Sequence, residues 1–146
     1  MKKSKIEQLS EKEYIVVDFL PQQVHAESSG QFFAVENLFL HGARASELRR
    51  KFSDIILKLY CYYGIEVFNI STGETITNPK PELLDEWIIS NRFDLQILIE
   101  DSMVMIAMDD THITLYDPSD NLTEMIRSLA RSEGLFVWKP PQHNGK

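Results

Sequence analysis

Phe93 to Tyr116 reads FDLQILIEDSMVMIAMDDTHITLY, and this stretch decides the fold class. Three runs with strand character, Phe93 to Ile99, Met103 to Met108 and His112 to Tyr116, are separated only by the polar turns Glu100-Asp101-Ser102 and Asp109-Asp110-Thr111. Runs this short and this closely joined predict an antiparallel meander. Downstream, Asp117 reads as an N-cap with Pro118 in the first helical position and Asp120 in the first turn. Leu122, Met125, Ile126 and Leu129 then form the buried stripe of a helix that Gly134 ends, and Leu135 to Trp138 gives a last strand.

Upstream of the meander, Pro81 suits the first turn of a short helix whose stripe is Leu83, Leu84, Trp87 and Ile88. Ile65 to Ile70 reads as a strand running into a turn at Thr72-Gly73. From Arg44 to Tyr63, Leu48, Phe52, Ile55, Ile56, Leu59, Tyr60 and Tyr63 recur at steps of three and four, which places them on one helical face, and Gly64 suits a left-handed cap. Tyr14 to Leu20 (YIVVDFL) is a first strand stopped by Pro21, and Pro21 to Gly30 is a loop. Gln31 to Leu40 (QFFAVENLFL) fits helix or strand; its aromatic and β-branched residues favour a second strand antiparallel to the first. The expected fold is α+β, a mostly antiparallel sheet with about three helices packed on one face.

The length of 146 residues predicts a single domain over 1–146, with loose ends at 1–11 and 140–146. Hydrophobic residues make up 43% and charged residues 25%, values of a packed globular chain and not of a disordered one. Cys61 is the only cysteine, so no disulfide can form within the chain. No signal-peptide pattern opens the sequence and no apolar run approaches bilayer length, so the expectation is a soluble cytoplasmic protein with no membrane contact.

The net charge of −7 is unevenly placed. Residues 1–80 hold ten acids and ten bases, whereas 81–126 hold eleven acids against one base, Arg92. In a meander, Glu100 and Asp101 lie at one end of the sheet, and Asp94, Asp109 and Asp110 lie at the other. Such rims repel nucleic acid and attract a basic partner in a salt-sensitive way. The same residues also serve solubility and capping.

Asp109-Asp110-Thr111-His112 gathers two carboxylates and an imidazole, but no second His or Cys group stands near it, so neither a metal site nor an acid-base pair is expected. Cys61, at a helix end without a base beside it, reads as a packed thiol. No phosphate loop, dinucleotide fingerprint or nucleophile elbow is present, and neither an enzyme nor a cofactor is expected. Arg44, Arg49, Arg50 and Lys51 are interlaced with Glu47 and Asp54 on a helix face, which argues against a nucleic-acid patch. Trp87, Tyr116 and Trp138 stand near element ends, where large aromatics serve as core or as interface anchors.

His112 to Leu122 (HITLYDPSDNL) and Ser132 to Pro140 (SEGLFVWKP) resemble the ends of small immunity proteins paired with bacterial polymorphic toxins of the LXG type; with the helix between them they cover about a fifth of the chain. The resemblance implies an antitoxin that neutralises a cognate toxin, often a nuclease, by stoichiometric binding. The expected contacts are Asp94, Asp109 and Asp110 first and Glu100 with Asp101 second, with Trp87 and Tyr116 as anchors. The alternative is a regulatory or ligand-binding module that homodimerises without enzymatic activity.

Overall fold

The structure is a computed structural model that describes residues 7–9 and 11–140. Seven strands form one antiparallel sheet: β1 Tyr14–Asp18, β2 Glu66–Asn69, β3 Glu74–Thr77, β4 Leu95–Ile99, β5 Ser102–Ile106, β6 His112–Tyr116 and β7 Phe136–Trp138. Their order across the sheet is β3-β2-β4-β5-β6-β1-β7. Four α-helices lie wholly within the described residues, α1 Ser29–His41, α2 Ala45–Tyr60, α3 Pro81–Ile89 and α4 Asp120–Ser132.

The meander forms as the turns dictate, with Leu95 opposite Ile106 and Met103 opposite Tyr116. The period of two along each strand sends Ile15, Val17, Val67, Ile97, Val104, Ile113 and Leu115 to one face. There they meet Phe52, Ile55, Ile56 and Leu59 of α2, Leu84 and Ile88 of α3, and Leu122 and Ile126 of α4. Each large aliphatic residue removed from water here contributes roughly 1.5–3 kcal/mol before chain entropy is counted. The opposite face carries Tyr14, Val16 and Asp18 of β1 beside His112, Thr114 and Tyr116 of β6; Leu9 packs on Met103, with Phe68, Leu98 and Tyr116 around it.

Several local expectations are corrected. Residues 31–40 are helical, not a second strand. Both edges of β1 are occupied, by β6 and β7, which leaves no place for a hairpin partner there. The cap of α4 is Ser119, whose Oγ accepts the Leu122 amide at 3.1 Å, while Asp117 takes a left-handed φ of 54° and its carbonyl accepts the Ser102 hydroxyl at 2.8 Å. Gly64 is not left-handed; α2 ends at Tyr60 with Cys61 as its C-cap, and the Ile65 amide instead donates to Asn78 Oδ1 at 2.8 Å. Cys61 is exposed, not packed. β3 was not anticipated, and Gly73, at φ 82°, makes the turn into it. Of the two expected loose ends, residues 1–6, 10 and 141–146 lie outside the described residues.

Candidate interaction site

β4 begins beside Asp94, and the β5–β6 connection carries Asp109 and Asp110, so the three carboxylates meet at one end of the sheet. Asp94 Oδ1 accepts the Met108 amide at 2.8 Å, which ties the start of β4 to that connection. Asn91 exchanges two hydrogen bonds with Asp109, accepting its amide at 2.8 Å and donating to its carboxylate at 3.2 Å. Asn91 and Asp109 both hold positive φ, 57° and 63°, a conformation these short polar residues tolerate better than most. Glu100 and Asp101 stand at the far end, in the β4–β5 turn.

The acidic end is not a bare cluster of charge. Arg49 of α2 is buried beneath it, donating from Nε to the Ile88 carbonyl at 2.9 Å and from Nη1 to that of Ala107 at 3.5 Å, with Nη2 unpartnered. Burial lowers its pKa, and Asp110, Asp109 and Asp94 oppose that shift. Burial likewise raises the Asp110 carboxyl, with Asp94 and Asp109 adding to the rise and His112 and Arg49 reducing it. One cation from the first half of the chain thus offsets part of the rim, and the exposed Asp109 remains its outermost carboxylate.

The rim adjoins α1. His41, the last residue of that helix, places Nε2 3.6 Å from Asp109 Oδ1. One turn earlier Leu38 is 42% exposed, and Val35, a further turn back, is 45% exposed. Phe39 anchors the helix against Phe19, their ring centroids 4.9 Å apart. Apolar residues encircle α1, so one side packs while another is left to solvent.

On the open face of the sheet, the side of α1 that carries Phe32, Phe33 and Glu36 and the Leu20–His25 segment wall a groove of about 620 Å3. Its floor includes Tyr14, Asp18, His112, Tyr116 and Trp138. Asp18, 8% exposed, faces His112 across β1 and β6; its Oδ2 accepts the Trp138 indole at 3.3 Å, and its Oδ1 has no hydrogen-bond partner. Burial raises its carboxyl above the usual value, against a smaller lowering by His112, by the nearby backbone of Leu20 and Phe19 and by the Trp138 indole. The Tyr14 and Tyr116 rings lie 5.3 Å apart, and burial raises the Tyr116 phenol.

The sequence-derived residues therefore divide. Asp94, Asp109 and Asp110 come together, Glu100 and Asp101 sit apart from them, Tyr116 belongs to the groove, and Trp87 offers no docking area because it is 6% exposed in the core, against Phe93. Asp18, Glu36 and the exposed face of α1 were missed. For the helix, the apolar ring of Phe32, Phe33, Val35 and Leu38 was the available signal; for Asp18, it was a carboxylate within YIVVDFL. Among the described residues, no group of three or more His, Cys, Asp or Glu side chains could hold a metal ion, and no helix is long and apolar enough to cross a membrane. Compared with family models, curated proteins and solved structures, the chain finds no match.

Proposed function

We propose that this chain is a non-catalytic, cytoplasmic protein-binding module of the immunity type, which neutralises a basic partner by occupying it stoichiometrically. One observation carries the reading: Asp94, Asp109 and Asp110 converge at one end of the sheet beside an exposed apolar helix face. Carboxylates steer a basic surface into register, and the adjacent Val35 and Leu38 supply desolvated area. A toxin that grips phosphates needs a basic groove, and a rim of fixed carboxylates fits such a groove as a polyanion does.

The test is co-expression with the C-terminal domain encoded by the neighbouring reading frame, scored as cell survival. Asp109→Lys is expected to abolish protection, whereas Glu100→Lys, at the far end of the sheet, is expected to preserve it. Protection that survives Asp109→Lys and Asp109→Asn unchanged overturns the proposal.

A further inference from the structure

The groove on the open face has a composition that selects a ligand. Its floor and walls combine the rings of Tyr14, Tyr116, Trp138 and Phe32 with two carboxylates, Asp18 and Glu36, and among the described residues no lysine or arginine lines it. Aromatic faces attract cations through their ring quadrupoles, and a carboxylate turns that attraction into a directional hydrogen bond. Asp18 is more than nine-tenths removed from solvent and its Oδ1 has no partner. A buried carboxylate in that state is stabilised by a donor brought in from outside. The volume of about 620 Å3 is in the range of small-ligand sites and exceeds what one bound water needs.

Among organic cations, a planar guanidinium uses these features best, because it stacks on an aromatic face while its edge donates to a carboxylate. We infer that this groove receives an arginine side chain presented by a protein partner, stacked among Tyr14, Tyr116 and Trp138 and hydrogen-bonded to Asp18, with Glu36 at the wall. Choosing a protein as the source rests on the docking reading above. Continuity supports that choice: His112 lies between Asp18 in the groove and Asp110 on the rim and acts on both carboxyls. A basic chain held at the rim can therefore send a side chain into the groove from the same approach.

The probe is Nα-acetyl-L-arginine amide, titrated into the full chain while the Trp138 indole N–H is followed by 15N-resolved NMR. The expected result is a saturable shift of that resonance, with the neutral citrulline analogue at least about tenfold weaker. Asp18→Asn and, independently, Glu36→Lys should each weaken the probe about tenfold or more, while Asp109→Asn on the rim should leave it unchanged. Unshifted Trp138, equal binding of the citrulline analogue, or indifference to both Asp18→Asn and Glu36→Lys overturns the inference. Agmatine, an uncapped small guanidine, binding about tenfold tighter than the capped probe overturns the protein source. Because the peptide reports on the groove and cell survival on the rim, either proposal can fail without the other.

Discussion

Asp18 and Arg49 carry opposite charges in similar settings: each is buried with one polar atom unpartnered, and each has a pKa moved toward its neutral form. For Asp18 the raised value means that the folded chain takes up the proton before the unfolded chain does. Stability from this group is fullest below the usual carboxylate value and falls as pH climbs from there through the raised value. Asp18→Asn should therefore stabilise the chain by about 1 kcal/mol at neutral pH, with the gain vanishing toward acid pH; paired thermal melts across pH would show it. A variant less stable than the parent at neutral pH would mean that the carboxylate is satisfied in the free protein. Arg49 predicts the reverse. Arg49→Met strips the Ile88 carbonyl of its donor and leaves Asp94, Asp109 and Asp110 to repel one another, a loss of about 3 kcal/mol in urea denaturation. Adding Asp110→Asn should recover part of that loss, because the two residues are coupled. The neutralising role of Arg49 could not be read from the sequence: 49 and 110 are far apart in the chain, and Arg49 stands beside Arg50 and Lys51 on what reads as a solvated helix face.

The helix at residues 29–41 separates what local pattern can specify from what it cannot. Where a face is buried on one side only, as in α2, the three-and-four spacing recovers the helix, and Leu48, Phe52, Ile55, Ile56 and Leu59 are buried as the stripe predicts. Where polar turns punctuate short apolar runs, as between β4 and β6, the strands follow to within a residue or two. α1 has neither aid, since its apolar residues surround the axis and no cap side chain marks its start. It is the tertiary fact that β6 and β7 fill both edges of β1 that excludes the strand. Two substitutions test the element level. Ser119→Ala removes the side-chain acceptor from the Leu122 amide and should cost about 1 kcal/mol of stability, whereas Asp117→Ala should not reproduce that loss of a cap. Val35→Ser on the exposed face of α1 should change stability by less than about 0.5 kcal/mol, yet weaken partner binding measured by calorimetry. A large loss of stability there would show that α1 uses this face to fold.

Across the whole molecule, acidic residues stand at both ends of the sheet, and one of those ends adjoins the exposed side of α1. The excess of acids in residues 81–126 is legible in the sequence, and the meander alone sorts it into two ends. The distinction between the ends is a three-dimensional fact: the Asp94, Asp109 and Asp110 end adjoins the last turn of α1 and, through His112, the groove. Steering by such a rim acts on the rate of encounter more than on the lifetime of the complex, and salt screens it over a Debye length of about 10 Å at 0.1 M. The most direct measurement is the association rate of the purified chain with the basic partner proposed above, taken across ionic strength for the parent and for Asp109→Asn. The account predicts a rate that falls steeply with salt in the parent and a shallower fall, from a several-fold lower rate at low salt, in the variant. Identical salt dependence in the two proteins would contradict it.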